Sequence, residues 1–460
     1  MTSPSRPLPF RFGLPGAIAP LFVFVAGVTA LAAAGAPDER GFWPVLVGAL
    51  LASRLLARDG ARWSEAVLEG IGQPIVAVMV LAWLLAGLLG AILAAGGLVD
   101  GVAWGAAALG AGPVLIVGVA FVGCALLATA TGTSFGTLLV AGPVLYGAGA
   151  TIGATPAVLL GAILAGATWG DSISPISDTS IASAGSQATD VAGTVRSRLQ
   201  YVIPAGAVAL AASLALAALA ARAEPATSAV VAGARPDGLL LLVVPALVIG
   251  LLARGRPLLD GLLVGVIVAL AVALVADLVA PATLLRVEPG AFGATGVLID
   301  GLQRGVGVSV FTILLMGLIG PLQASGALDQ LLAAVTDGSP TPRRTEGVIV
   351  GIVSAAVFLT THSIVAILAV GPMVRRLGEA GGIAAYRRAN LLDLAVCVWP
   401  FLLPWFLPTI LAASVTGGDP ALPRVSPLAA GLHNTYAWAL LVTVGVAVAT
   451  GYGRSRDRSS

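Results

Sequence analysis

Two aspartates, Asp171 and Asp178, follow an apolar run that begins at Pro156, at a depth where the chain would still be inside a bilayer. Their stretch, residues 169–184, reads W-G-D-S-I-S-P-I-S-D-T-S-I-A-S-A. An ionisable side chain inside a membrane segment is costly, and it usually marks an ion or substrate site. Pro175 has no backbone N–H, so it predicts a broken helix whose freed carbonyl oxygens, with nearby hydroxyls, suit a small hard cation. The alternative is an ordinary loop with a serine-rich helix cap.

The composition predicts a polytopic helical membrane protein. Of the 460 residues, 58% are apolar and 10% are charged, and the mean hydropathy is +1.00. Many apolar runs reach ~20 residues, the length at which a helix crosses a bilayer. All 24 basic residues are arginine, which excludes lysine-based chemistry. Cys124 and Cys397 lie in apolar runs, so neither a disulfide framework nor a cysteine-rich metal site is supported. The net charge of +2 argues against nucleic acid as a partner.

Two pairs of apolar arms, residues 112–150 and 347–374, each enclose a short polar tip. A polar tip cannot face lipid, but it can line a cavity as the bend of a re-entrant hairpin. Two full spans joined by a polar loop are the alternative, because each arm is nearly long enough to cross. The candidate site residues in the two tips are Thr131, Thr133, Ser134, Thr361, His362 and Ser363.

The sequence is also internally repeated. Residues 84–90, L-L-A-G-L-L-G, align with residues 314–320, L-L-M-G-L-I-G, and beyond a one-residue gap the alignment places Ser134 opposite Ser363. Short cytoplasmic loops hold an excess of positive charge, so arginine clusters indicate orientation. The clusters fall in every second connection, at 54–62, 196–198, 254–256, 343–344 with 375–388, and the C-terminal tail. Both termini are therefore predicted to be cytoplasmic, and the aligned spans are predicted to run in opposite directions.

Inverted repeats are typical of transporters, with the binding site near the bilayer midplane. The predicted fold is accordingly an all-α polytopic membrane protein with about ten transmembrane helices and two re-entrant hairpins, in two inverted-topology repeats with broken helices. The predicted units are a cytoplasmic N-terminal arm (1–13), a first repeat (14–221) with a broken helix at 156–184, a linker (222–237), a second repeat (238–452) with a broken helix at 390–412, and a cytoplasmic tail (453–460).

Three short segments of the sequence resemble the NhaC-type sodium/proton antiporter family within the ion transporter superfamily. They are G-D-S-I-S-P-I-S-D-T at 170–179, T-G-T-S-F-G-T at 131–137 and A-A-G-G-L at 94–98, and the resemblance covers most of the chain from about residue 69 to residue 403. It implies an inverted-repeat fold with two re-entrant hairpins, sodium as the coupling ion, and proton exchange. By motif match, the residues expected to handle the ion are Asp171, Ser174, Ser177, Asp178 and Thr179, with the two aspartates as sodium ligands.

The second half departs from the family pattern. His362 stands where the family usually has an asparagine, and N-L-L-D at 390–393 matches the family's asparagine and acidic residue only loosely. Asp393 is a third candidate acid, for which the alternative is a helix-start aspartate near the cytoplasmic surface. An imidazole titrates near pH ~6.5, so His362 could carry the proton, unless it is a neutral residue satisfied by the hydroxyls of Thr361 and Ser363.

The favoured function is a secondary antiporter that exchanges Na⁺ for H⁺ across the cytoplasmic membrane by alternating access. A buried carboxylate can hold either a cation or a proton, so the two cargoes would compete for one site. The alternative is a sodium- or proton-coupled exchanger of small organic acids or amino acids, which relatives with this architecture also transport. An enzyme is disfavoured, because the chain has no H-E-x-x-H, no G-x-S-x-G and no phosphate-binding loop with lysine. No cofactor is expected, the expected partners are lipid and small solutes, and a homodimer is left open.

Overall fold

The computed structural model describes residues 7–34, 39–108, 110, 112–223, 236–288, 290, 293–327, 330, 341–418 and 422–454. The predicted linker (222–237) and tail (453–460) lie largely outside the described residues, as does half of the N-terminal arm.

Helices dominate both halves of the chain. In the first half they are α1 (Leu14–Ala33), α2 (Trp43–Leu56), α3 (Gly60–Ile71), α4 (Pro74–Ala95), α5 (Leu98–Ala108), α6 (Pro113–Thr131), α7 (Ser134–Thr151), α8 (Pro156–Ile173), α9 (Asp178–Ser186) and α10 (Val191–Ala223). In the second half they are α11 (Val243–Ala253), α12 (Leu258–Val275), α13 (Pro281–Leu284), α14 (Val297–Ala324), α15 (Pro342–Thr360), α16 (Ser363–Ala380), α17 (Ala385–Val396), α18 (Leu407–Val415), α19 (Pro427–Leu432) and α20 (Thr435–Thr450). Short 3₁₀ turns occupy Glu39–Phe42, Pro236–Leu242, Trp399–Phe401 and Thr416–Gly418.

The predicted polytopic all-α membrane class is confirmed. Among the described residues, seven helices are long and apolar enough to cross a bilayer. Six of these helices lie in the ten expected spans, and the seventh is the hairpin arm α6. The other expected spans contain shorter helices, since α2 has 14 residues, α11 has 11, α17 has 12 and α20 has 16. One small element was not predicted, an antiparallel pair of strands, β1 (Arg286–Glu288) and β2 (Gly293–Thr295).

The sequence repeat is matched by the helix boundaries. The arms α6 and α7 have 19 and 18 residues, and so do α15 and α16 at the corresponding place in the second half. The short helices that follow the two interruptions, α9 and α18, have nine residues each. Proline is the first residue of α4, α6, α8 and α15. At this position an N–H group would have no hydrogen-bond partner within the helix, so its absence in proline costs nothing.

The repeated helices α4 and α14 pack against each other along almost bare backbone. A Cβ on Gly87 would lie 2.5 Å from the carbonyl oxygen of Gly301, and a Cβ on Gly305 would lie 2.6 Å from that of Trp83. Small residues let membrane helices approach this closely, which strengthens their van der Waals contact. The two halves of the chain are therefore joined through their aligned segments.

Three arginines that the sequence analysis placed in loops are in fact inside the protein. Arg198, Arg387 and Arg388 are 0%, 1% and 5% exposed. Arg198 is internal because it lies within α10, which begins at Val191, on the buried face of that helix. These residues have protein partners rather than a lipid surface, so they carry no information about orientation. The cytoplasmic placement of both termini stays a prediction.

Candidate functional site

A cavity of about 320 Å³ lies where the two polar tips meet the interruption between α8 and α9. Ten of the predicted site residues line it, namely Thr131, Thr133, Ser134, Asp171, Ser177, Asp178, Thr179, Thr361, His362 and Ser363. The lining also includes Met79 and Trp83 of α4, together with Cys397, Phe401 and Pro408. Residues far apart in the sequence thus share one partly polar chamber.

The two tips have the same local geometry. Gly132 ends α6 with φ of 69°, and Thr361 ends α15 with φ of 55°, so each chain reverses through a left-handed residue. Glycine adopts this conformation freely, whereas a β-branched threonine is strained in it. In the first tip the Thr133 hydroxyl caps α7 by accepting the Gly136 N–H at 3.2 Å. His362 occupies the same position before α16, but its side chain makes no cap.

The helix expected to break near Pro175 ends at Ile173 and starts again at Asp178. Asp171 sits in the last turn of α8, where its Oδ2 accepts the Ser134 N–H at 3.2 Å. Its Oδ1 is buried and has no hydrogen-bond partner among the described residues. One carboxylate oxygen therefore anchors the first tip, and the other is available to a ligand.

Asp178 is the first residue of α9, and its side chain is exposed to the cavity. In the part of the chain that the structure describes, this carboxylate makes no hydrogen bond or ion pair. Next to it, the Ser177 and Thr179 hydroxyls lie 3.1 Å apart. Two carboxylates and two hydroxyls thus converge on the cavity from either side of the interruption.

The freed carbonyls at the interruption are mostly occupied, in contrast to the expectation from sequence. The Gly170 carbonyl accepts the Thr129 hydroxyl at 3.2 Å, that of Asp171 accepts the Ser174 N–H at 3.2 Å, and that of Ser172 accepts Arg198 at 3.2 Å. Ser174 itself does not line the cavity, because its hydroxyl points away and donates to Thr129 O at 2.8 Å. Helix ends buried in protein recruit donors in this way, which leaves side-chain oxygens as the main ligands.

The second tip offers a different chemistry. The Thr361 hydroxyl donates to Thr360 O at 2.8 Å, and the Ser363 hydroxyl donates to Val396 O at 3.1 Å. Neither hydroxyl serves His362, whose Nδ1 is buried without a hydrogen-bond partner among the described residues. The interpretation of His362 as satisfied by its two neighbours is therefore wrong.

Asp393 is not a helix-start residue at the surface. It lies in the last turn of α17, is 0% exposed, and pairs with Arg198 at 2.7 Å. Its side chain does not line the cavity but contacts Thr179 and Cys397, which do. Sequence reasoning missed Arg198 as a site residue. The signal that could have found it is its place in the buried helical stripe of α10, with Val195, Tyr201 and Val202.

A polar contact outside the spans ties together the helices that carry this pair. The Tyr386 hydroxyl, in the first turn of α17, donates to Asp190 just before α10 at 2.5 Å. This hydrogen bond lowers the pKa of Asp190, so the carboxylate stays ionised and the contact persists near neutral pH.

Comparison with known proteins agrees with the motif resemblance over the first half. Residues 69–220 match the model of the Na⁺/H⁺ antiporter family. One similar curated protein is the malate-2H⁺/Na⁺-lactate antiporter of Bacillus subtilis, 39% identical over 82 residues. Another is the Na⁺/H⁺ antiporter NhaC of Alkalihalophilus pseudofirmus, 35% identical over 81 residues. Each alignment covers 18% of this chain and 18% of the relative.

The matched segment contains the first tip, Asp171, Asp178 and Arg198, whereas the second tip and Asp393 lie beyond it. The predicted resemblance to NhaC-type antiporters is therefore confirmed for the half of the site that carries both unpaired carboxylates. Residues 69–220 of this chain are thus similar to the Na⁺/H⁺ antiporter family, and the chain spans less than a fifth of the length of the curated relatives it matches.

Proposed function

We propose that the chain is a secondary transporter that exchanges Na⁺ for H⁺ at the cavity between the two tips. The observation that carries this proposal is the buried Oδ1 of Asp171, which has no hydrogen-bond partner in the described structure and is close to the first tip. An unpaired carboxylate oxygen in a confined space calls for a positive partner, and either a sodium ion or a proton can supply it.

The chamber offers the oxygen ligands that a hard cation prefers. We assign Asp171 and Asp178 as the charged sodium ligands, with the hydroxyls of Ser177, Thr179 and Thr133 as neutral ones. Sodium binding stabilises the ionised carboxylates, and protonation removes the charge that holds sodium. Exchange follows because the two cargoes cannot occupy the same carboxylate oxygens together.

Alternating access would arise from two inverted repeats whose tips act as re-entrant hairpins, in a cytoplasmic membrane with both termini inside. This part of the proposal is supported by the matched arms α6/α7 and α15/α16, and by the meeting of both tips at one cavity. Single cysteines at Gly112 and Thr341, the exposed residues that precede the first arm of each hairpin, should be labelled from opposite sides of the membrane in a background without Cys124 and Cys397. Labelling of both from one side would contradict inverted hairpins.

A second candidate is exchange of a small organic acid, coupled to sodium or protons. Two observations favour it: the similarity to the malate/lactate antiporter, and four helices whose first residues line the cavity, α7, α9, α16 and α18. Helix N-termini present N–H groups and a partial positive charge, which suit a carboxylate. Asp171 already takes one of these N–H groups, which is why we rank the organic acid second.

Flux measurements in proteoliposomes distinguish the two candidates. With a sodium gradient and no organic solute, we expect proton movement that collapses when the gradient is removed. Addition of lactate or malate should leave this rate unchanged. If proton movement requires the added acid, the second candidate is correct, and the Na⁺/H⁺ proposal fails.

His362 provides a narrower test of where the proton resides. We expect His362→Asn to fold and to bind sodium, because the residue makes no cap and its Nδ1 holds no hydrogen bond among the described residues. If the imidazole carries or couples the proton, the pH profile of exchange from about pH 6 to 9 should shift or flatten. A profile that superimposes on the wild type, after scaling for expression, assigns proton carriage to the aspartates alone.

A further inference from the structure

Arg198 occupies a socket in which every N–H of its guanidinium has an acceptor. An arginine side chain has five such donors in a fixed planar arrangement. Nε donates to Asn390 Oδ1 at 3.3 Å, Nη1 donates to Ser172 O at 3.2 Å and to Ser180 Oγ at 2.8 Å, and Nη2 contacts Asp393 Oδ2 at 2.7 Å and Ser183 Oγ at 3.5 Å. The guanidinium is 0% exposed. It joins α10 to the end of α8, to α9 and to α17.

Its partner Asp393 connects this socket to the cavity wall. Oδ2 faces Arg198 and also accepts the Ser183 hydroxyl at 3.2 Å. Oδ1 faces the other way, toward the Thr179 hydroxyl at 3.4 Å and the Cys397 thiol at 3.6 Å. Thr179 and Cys397 both line the cavity. Asp393 is therefore separated from the cavity by a single layer of side chains.

The three acidic residues around the cavity thus differ in how their charge is balanced. Asp171 and Asp178 have no ion pair in the described part of the chain, whereas Asp393 has a buried cation at ion-pair distance. A buried charge must be compensated, and the compensating charge can be a mobile ion or a fixed side chain. For Asp393 the compensating charge is the side chain of Arg198, which is part of the protein and cannot be transported.

We propose that Arg198 is a tethered cation that takes the place of a transported ion at Asp393. This rests on the proposed function, and it restricts the exchanged cargo to Asp171 and Asp178. Arg198 is a positioning residue, since it reaches the cavity only through Asp393. Arg198 also donates hydrogen bonds to Ser172 O and Ser180 Oγ, on opposite sides of the interruption.

The test compares sodium dependence in four proteins reconstituted side by side: wild type, Asp393→Asn, the double variant Arg198→Met/Asp393→Asn, and Arg198→Lys. Asp393→Asn leaves an uncompensated positive charge behind the cavity wall, so we expect the KM for sodium to rise about tenfold or more, with a smaller change in maximal rate. The double variant removes both charges, and its KM should return to within about threefold of wild type. Arg198→Lys keeps the positive charge, so its KM should also stay near wild type.

If Arg198 and Asp393 only stabilise the fold, a different result is expected. The substitutions would then lower the yield of folded protein and the maximal rate in all three variants, and the KM for sodium would not change. A wild-type KM in Asp393→Asn, or a double variant with a KM as high as that of the single variant, overturns the inference. If Asp393→Asn does not fold, Arg198→Lys and the double variant decide: a raised KM in either overturns it. Absence of sodium-driven flux in the wild type would instead overturn the proposed function, and this inference with it.

Discussion

Asp171→Asn is expected to abolish Na⁺/H⁺ exchange while leaving the protein folded and inserted. The amide oxygen of asparagine can still accept the Ser134 N–H that anchors the first tip, so the local structure is retained. What is lost is the negative charge and the buried, unpartnered Oδ1. Exchange in proteoliposomes should fall by at least about tenfold, the change that ~1.4 kcal/mol of lost cation binding produces. Asp178→Asn should have a similar effect, because Asp171 would then be the one carboxylate left among residues 171–178 to bind the cation.

A matched control is Asp300→Asn, which removes an exposed carboxylate from the first turn of α14. It should exchange at the wild-type rate. Wild-type flux in either Asp171→Asn or Asp178→Asn would move the cation site elsewhere in the protein.

Gly132→Ala should also remove most activity, for a steric reason. Gly132 has φ of 69°, a conformation that costs an alanine about 1–2 kcal/mol. In addition, a Cβ at this position would lie 2.6 Å from the carbonyl oxygen of Ile176, so the first tip could no longer contact the interruption. Separation of the tip from Ile176 would pull Ser134 away from Asp171. We expect lower thermal stability together with a loss of flux.

Two further substitutions, one of a glycine and one of a threonine, serve as controls. Gly123→Ala, on the same helix α6, adds a Cβ with nothing within 4 Å, so stability and flux should match the wild type. Thr361→Gly, at the equivalent place in the second tip, relieves a left-handed threonine and should be tolerated. A Gly132→Ala variant as active as Gly123→Ala would show that the contact with Ile176 is dispensable.

The features that sequence predicted well depend on local signals. Pro175 and the polar residues around it together mark the interruption between α8 and α9. Proline alone is not sufficient, because α7 continues through Pro143 and α10 continues through Pro204. The tips were found because polar residues inside apolar arms must avoid lipid. The repeat alignment pairs Ser134 with Ser363, and in the structure these two residues begin α7 and α16.

What sequence could not supply are pairings between distant segments. Arg198 and Asp393 come from different halves of the chain, and nothing in either local pattern indicates that they form an ion pair. The same limit applies to the carbonyls at the interruption, since the donors Thr129 and Arg198 belong to other helices. Apolar composition alone likewise does not show that α2 is only 14 residues long.

The central claim is that sodium and protons compete for Asp171 and Asp178. The most direct measurement is proton release from purified protein in a weakly buffered detergent solution when sodium chloride is added. Cation binding to protonated carboxyl groups must displace protons, so we expect acidification that saturates with sodium and is absent with choline chloride. The Asp171→Asn/Asp178→Asn double variant should release none. Sodium binding without proton release in the wild type, or an unchanged release in the double variant, would contradict the account.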